Sequence, residues 1–148
     1  MSWIRVTTAM AAAPERVWAE VADIESQPRW MQDAVAIRFS SAQRSGVGTA
    51  FECDTRVGPL RLVDRMEITD WDPPRALGIR HVGIVTGRGR FLLEPTDGGT
   101  RFTWEEELTF PWWLGAGAGG RLAAPVLAAV WRRSLHALKS LVERSPAV

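Results

Sequence analysis

A carboxylate interrupts an apolar row in residues 100–110. In a β-strand the side chains alternate between two faces. One face of this segment reads Phe102, Trp104, Glu106, Leu108 and Phe110. A carboxylate among aromatic side chains is costly unless it pairs, takes up a proton or faces a wet cavity. The pattern therefore predicts one polar point on the wall of a ligand cavity.

Two further segments repeat this pattern. Residues 60–68 place Asp64 in an apolar row, and residues 77–85 place His81 in another. General acid/base catalysis needs a proton donor and an acceptor close together, so His81 with Asp64 or Glu106 is a candidate acid/base pair. The alternative is that a strand twist, a bulge or a position at the rim of the sheet exposes these side chains to water.

The register of the strand over 100–110 decides which acids face inward. In the register above, alternate residues meet water: Arg101, Thr103, Glu105, Glu107 and Thr109. A shift by one residue would exchange Glu106 for Glu105 and Glu107. We expect Glu106 to pair with His81 or an arginine, or else to have a raised pKa.

Length and charge limit the classes of function. The chain has 148 residues, enough for one domain over 1–148 with its own core. Its 18 Lys and Arg against 17 Asp and Glu give a net charge of +1. This charge produces no electrostatic field that would attract nucleic acid. Eight Trp, five Phe and no Tyr suit a core or a pocket for flat, apolar ligands. We expect a small-molecule partner and no nucleic-acid partner.

The single cysteine and the N-terminal residues indicate the compartment. Cys53 excludes an internal disulfide, which fits a reducing environment. The sequence shows no signal-peptide pattern and no apolar run approaching about 20 residues. We expect a cytoplasmic protein without a membrane span.

Metal and cofactor motifs are missing from the sequence. One cysteine and two histidines do not form a spaced ligand set, so Asp64, His81 and Glu106 would hold a metal only if their tips converged. Residues 87–90, Gly-Arg-Gly-Arg, precede a strand and not the helix that binds phosphate. These glycines indicate sheet curvature instead. We expect no metal and no cofactor, and Cys53 as a buried apolar residue.

The periodicity of the chain predicts an α+β protein. Residues 2–10 alternate as a strand, and helical spacing follows over 14–23 and 25–33, where Pro14 and Pro28 suit helix starts. Turn residues then separate six further strands. We place these at 35–41, 49–57, 60–71, 76–84, 87–94 and 100–110.

An amphipathic helix is predicted over 121–143. Its apolar face carries Val126, Leu127, Val130, Trp131, Ser134, Leu138, Leu141 and Val142. A helix of this length must cover an apolar surface, and the concave face of the antiparallel meander is the candidate.

The fragments in this order resemble a known family. They are Ala13-Pro14-Glu15-Arg16-Val17-Trp18, Trp30-Met31, Gly46-Val47-Gly48-Thr49, Asp70-Trp71-Asp72-Pro73-Pro74-Arg75, Gly89-Arg90-Phe91 and Leu93-Glu94-Pro95. The chain resembles the polyketide cyclase/dehydrase branch of the START-related (SRPBCC) superfamily, which also contains lipid-transfer domains. The resemblance implies a helix-grip fold, in which seven curved antiparallel strands wrap a long C-terminal helix and two short helices follow strand one. That family has no universal catalytic motif to transfer.

Alternation and the resemblance together predict a cavity between sheet and helix. Its expected lining is Trp30, Met31, Phe51, Cys53, Leu62, Asp64, Met66, His81, Phe91, Trp104, Glu106, Val126, Val130 and Ser134. We expect the cavity to have a volume on the order of 300 Å³ or more, as ligand pockets in proteins usually do. Trp112 and Trp113, ahead of a glycine-rich stretch, either gate this cavity or pack under the helix.

Three functions follow as hypotheses. The first is binding of a hydrophobic or aromatic small molecule by a carrier, sensor or ligand-holding protein. The second is a polyketide cyclase or dehydratase that uses His81 with Asp64 or Glu106. The third is a protein-interaction module with Trp112 and Trp113 as its contact patch. Convergent tips of His81 and an acid favour catalysis, and assembly as a homodimer stays open.

Overall fold

The computed structural model describes residues 2–111, 113 and 118–144, and the side chains of residues 118–123 lie outside this description. Two helical segments follow the first strand, and a long helix ends the described chain. In order, the elements are β1 (Ser2–Met10), α1 (Pro14–Val21), a 3-10 helix (Ile24–Arg29), β2 (Ala34–Phe39), β3 (Ala50–Val57), β4 (Leu60–Asp72), β5 (Ala76–Val82), β6 (Thr86–Thr96), β7 (Gly99–Thr109) and α2 (Ala118–Arg144).

The seven strands form one antiparallel sheet in the order β1-β7-β6-β5-β4-β3-β2. Strands β2 to β6 each pair with the next strand along the chain, as a meander of hairpins requires. Strand β1 pairs with β7, so the first strand of the chain lies beside the last strand. The predicted α+β class and helix-grip fold are confirmed.

The second helical segment differs from the predicted helix over 25–33. It is a 3-10 helix that ends at Arg29 and contains Pro28. Proline has no N–H to donate and disfavours α geometry at the residue before it, which explains the short, tight turn. Gln27 Nε2 donates to the Val21 carbonyl at 3.1 Å, so the segment stays attached to α1.

Helix α2 lies over the concave face of the sheet. It buries Trp131, Leu135, Leu138 and Val142, which recur every three or four residues. Its C-terminal end is fixed by the backbone N–H of Ala11, which donates to Glu143 Oε2 at 2.7 Å. Within the described part of the chain, no helix is long and apolar enough to cross a membrane.

The outer face of β7 is less exposed than its alternation predicts. Thr103 and Glu105 are buried. Strand β7 lies between β1 and β6, whose side chains cover it. Arg90 Nε donates to Glu105, and Arg5 Nε lies 3.6 Å from the same carboxylate. The prediction that these two residues meet water was wrong, because interior strands receive cover from both neighbours.

Candidate functional site

A cavity of about 130 Å³ lies between the sheet and α2. It is smaller than the expected 300 Å³ because aromatic rings fill much of the interior. Trp104 and Trp131 stack with centroids 4.4 Å apart and planes 9° apart. Phe91 meets Trp104 edge-on at 5.4 Å. An engineered cavity of about 150 Å³ binds benzene, so this one matches a single aromatic ring in size.

Most of the expected lining residues lie at the cavity wall. They are Met31, Phe51, Cys53, Leu62, Asp64, Met66, His81, Phe91, Trp104 and Glu106. The strands supply all of these except Met31, which follows the 3-10 helix. Several further wall residues were not part of the expected lining, among them Gln27, Asp33, Leu77, Leu127 and Trp131.

Four expected lining residues lie elsewhere. Val126 is 47 % exposed, and Val130 is half-buried away from the wall. Helix α2 is rotated so that Leu127 and Trp131 face the cavity instead. Ser134 is buried in a structural contact in which its Oγ accepts the Gln32 backbone N–H at 2.9 Å. Trp30 lies behind the wall, with its ring centroid 6.1 Å from that of Trp104 and 5.9 Å from that of Phe91.

The cavity reaches the surface at the turn between β3 and β4. Leu60 belongs to its wall and is also 40 % exposed. Val57, Val85 and Phe110, also at strand ends or next to them, belong to the wall as well. Trp113 is exposed, whereas Trp112 lies outside the described residues, so the gate remains a prediction.

Asp64, His81 and Glu106 meet at the wall and form what we term the carboxylate–histidine cluster. His81 Nδ1 lies 3.0 Å from both oxygens of Asp64. His81 Nε2 contacts Glu106 Oε1. The second Glu106 oxygen accepts the Trp104 indole N–H at 3.0 Å. Both ring nitrogens of His81 therefore face a carboxylate.

Glycines on β6 allow this contact between β5 and β7. His81 is opposite Gly87 and Glu106 is opposite Gly89 in the register of the sheet. A Cβ at residue 89 would lie 2.7 Å from Glu106 Oε1, closer than side chains approach in proteins. The missing side chains let His81 and Glu106 meet above β6. The alternating glycines of 87–90 were thus a sequence signal for the cluster, although sheet curvature alone was predicted.

The carboxylates keep His81 protonated. Burial lowers the pKa of His81, but Glu106 and Asp64 together outweigh it and raise the pKa to about 10. The imidazolium then donates one N–H to each acid. Burial also raises the pKa of Asp64, while the hydrogen bond and the charge of His81 oppose that rise.

Asp33 is a wall residue that the sequence pattern missed. It follows the 3-10 helix, and its Oδ2 accepts the Trp131 indole N–H at 3.3 Å. Burial raises the pKa of Asp33 to about 6, the Trp131 hydrogen bond opposes this, and the charges of Glu106 and Asp64 add to it. No local sequence pattern could predict that Asp33 lies at the wall, because its hydrogen-bond partner Trp131 is 98 residues away in the chain.

The described residues offer little to a metal ion. Within residues 2–111, 113 and 118–144, no three His, Cys, Asp or Glu side chains are arranged to hold one. Cys53 is a free, buried thiol on β3. Burial raises the pKa of Cys53 to about 12, and the nearby acids add to the rise.

Comparisons with known proteins agree with the fold. The model of the family described as polyketide cyclase/dehydrase and lipid transport matches residues 2–143. A solved protein from Thermus thermophilus superposes with a TM-score of 0.85 at 16% identity, over 99% of this chain and 100% of that one. The Zhui aromatase/cyclase from Streptomyces sp. R1128 superposes with a TM-score of 0.74 at 20% identity, over 97% of this chain and 94% of that chain.

A START superfamily protein from Mycobacterium smegmatis gives a TM-score of 0.76 at 15% identity, over 96% of this chain and 97% of that chain. At these identities the likeness extends to the fold alone. A sequence search among curated proteins finds no significant match.

Proposed function

This chain belongs to the polyketide cyclase/dehydrase and lipid transport family, and we propose that it binds an apolar, aromatic small molecule in its cavity, as a carrier, sensor or ligand-holding protein. One observation carries the proposal: an apolar cavity whose carboxylate–histidine cluster is satisfied within the protein. Such a wall favours an aromatic ring that is held by burial of its apolar surface.

The size and shape of the wall support an aromatic occupant. Trp104, Trp131 and Phe91 offer ring surfaces, and Met66 and Leu62 add flexible and branched apolar groups. Aromatic pairs in stacked or edge-on geometry add roughly 0.5–1.5 kcal/mol beyond burial. A cavity of about 130 Å³ also argues against the protein-interaction module, which called for a collapsed interior.

The hydrogen bonds of His81 favour binding over proton transfer. A general base needs a free lone pair, and a general acid needs an N–H aimed at the substrate. His81 directs both ring nitrogens at Asp64 and Glu106, and its pKa is raised to about 10, so it has neither at neutral pH. We assign the cluster to fixing the inner wall.

A cyclase or dehydratase is the second candidate. The tips of His81 and two acids converge, as acid/base chemistry requires, and Asp64 keeps 14% of its side chain exposed. In this case a substrate carbonyl would displace one carboxylate from His81. The test is deuterium exchange at the central carbon of benzoylacetone, which should accelerate with the protein and return to background in His81→Gln.

Native mass spectrometry of gently purified protein is the first test of the binding proposal. We expect a retained small molecule, and the same spectrum gives the oligomeric state, including a homodimer. The second test uses fluorobenzene, followed by its fluorine NMR signal. Cys53→Met fills the cavity and should abolish binding, whereas Val63→Met, on the exposed side of β4, should preserve it. The proposal is contradicted if fluorobenzene does not bind the wild-type protein, or if it binds the two variants with equal affinity.

The cysteine supports a cytoplasmic location for this function. Cys53 is a free thiol, as expected where thiols stay reduced. Fractionation of the source cells with an antibody against the protein tests the location.

A further inference from the structure

Asp33 differs from the other two acids of the cavity wall in its partners. Asp64 and Glu106 each contact the His81 ring, which compensates their charge. The hydrogen bonds that the Asp33 carboxylate accepts come from neutral donors, the Trp131 indole N–H to Oδ2 and its own backbone N–H. Among the described residues, no lysine, arginine or histidine forms an ion pair with Asp33. Its carboxylate is left to face the cavity.

The stacked indoles hold Asp33 and Glu106 at the same wall. Trp131 donates to Asp33, and Trp104 donates to Glu106 at 3.0 Å. Their rings are parallel and 4.4 Å apart. Because each indole N–H is used by one acid, neither acid can turn away from the wall without losing a hydrogen bond. Asp33 is thereby positioned beside the site where an aromatic ring would lie.

The described wall is acidic on balance. Its residues of the acidic and basic types are Asp33, Asp64, His81, Arg90 and Glu106, and the Cys53 thiol is neutral because burial raises its pKa. The Arg90 guanidinium bonds to Glu105 on the outer face, so it does not compensate the inner acids. Three carboxyl groups thus face one imidazolium. An anion brought into such a low-dielectric site would be repelled, whereas a cation or a hydrogen-bond donor would be attracted.

We propose that Asp33 is a ligand anchor that selects aromatic molecules carrying an ammonium or hydroxyl group over aromatic carboxylates. This inference rests on the proposed binding function and adds the chemical class of the ligand. The ring occupies the apolar wall, and the donor group points to the free side of the Asp33 carboxylate. Asp33 acts on specificity, while Trp104 and Trp131 supply most of the contact surface.

The experiment compares four probes of one ring: benzylamine, benzyl alcohol, fluorobenzene and benzoate. Affinities are measured by calorimetry or by NMR titration at pH 7.5. We expect benzylamine to bind at least about tenfold more tightly than benzoate, since one Coulomb pair at low dielectric exceeds that difference in free energy. Asp33→Asn should reduce this ratio towards one, and Asp33→Glu, which restores the charge, should recover most of it.

Glu67→Gln is the matched control. It removes a carboxylate from the outer side of β4, where Glu67 pairs with Arg80, so the benzylamine-to-benzoate ratio should not change. Chemical denaturation shows whether each variant is folded. Benzoate binding as tightly as benzylamine overturns the inference, and so does a ratio that persists in Asp33→Asn. If fluorobenzene itself fails to bind, the proposed function falls, and the inference falls with it.

The pH dependence gives an independent readout. The groups near Asp33 are Trp131 on α2, Glu106 on β7, Asp64 on β4 and Cys53 on β3. The pKa of Asp33 is raised to about 6 by burial. The preference for benzylamine should therefore fall as pH drops through 6 and the carboxylate takes up a proton. A preference that stays constant from pH 7.5 to about 5 contradicts the role of Asp33.

Discussion

Gly89 and Glu106 face each other across β6 and β7, and the Glu106 carboxylate occupies the space that a side chain at residue 89 would need. This relationship lets an acid on β7 reach a histidine on β5 across an intervening strand. The carboxylate–histidine cluster therefore depends on a residue with no side chain.

Gly89→Ala should destabilise the protein and separate Glu106 from His81. The added methyl would lie 2.7 Å from Glu106 Oε1, so the carboxylate must move. We expect a loss of about 1–3 kcal/mol in the free energy of unfolding, measured by denaturant titration. Gly98→Ala is the control, because nothing lies within 4 Å of its added methyl. Equal stability of the two variants would contradict the close approach.

Glu106→Gln should lower the pKa of His81. The variant keeps the shape of the side chain and removes the charge that most strongly raises this pKa. The measurement is a nitrogen NMR titration of the His81 ring, with the second histidine identified in a His136→Asn protein. Glu105→Gln is the matched control, because Glu105 is a buried acid one residue away that faces Arg90. A larger effect from Glu105 would show that the strand register is shifted.

The stability of the protein should decrease as pH rises from about 6.5 to 10. His81 binds its proton more tightly in the folded state, with a pKa near 10, than in the unfolded chain, where histidine titrates near 6.5. Its stabilising contribution is complete below the unfolded pKa and is lost as pH rises through the folded pKa. Denaturant titrations across this range should show the decline. His81→Gln should remove the part between pH 6.5 and about 8.5, where the Cys53 thiol is still protonated in the folded state and mostly protonated in the unfolded chain. A flat wild-type profile would be inconsistent with a cluster built on an imidazolium.

Trp104→Ala should cost about 3–5 kcal/mol, as truncation of a core aromatic does. The indole stacks on Trp131 and donates to Glu106, so its loss removes the stacking partner of Trp131 and one hydrogen bond of Glu106. Val126→Ala should change stability by about 0.5 kcal/mol or less, because Val126 is exposed on α2. Thermal unfolding of the two proteins checks this contrast. A substantial loss from Val126 would mean that the helix is rotated from the position described.

Cys53 should react slowly with thiol reagents while the protein is folded. Burial raises its pKa to about 12, and the thiolate is the reactive form. We expect labelling by a disulfide reagent at pH 8 to be at least about a hundredfold slower than in the unfolded chain, given an ordinary thiol pKa near 8.5. Because the chain has one cysteine, the kinetics report on this site alone. Rapid labelling of the folded protein would show that the thiol is not held in an apolar wall.

The sequence predicted the order of the strands along the chain and which residues share a face. Both are local properties, since alternation requires only that a segment be extended. Asp64, His81 and Glu106 could be assigned to inner rows on this basis. The limits of the 3-10 helix were predicted less well, because Pro28 permits either the start of a helix or its disruption.

Only the tertiary structure decided how these rows meet. The pairing order placed β6 between His81 and Glu106, and Gly89 left the space through which they touch. The rotation of α2 brought Trp131 to the cavity in place of Val126, which set the cavity volume and gave Asp33 its hydrogen bond. These contacts join residues far apart in the chain. Periodicity describes one element at a time, whereas distances between elements arise from how their side chains pack against each other.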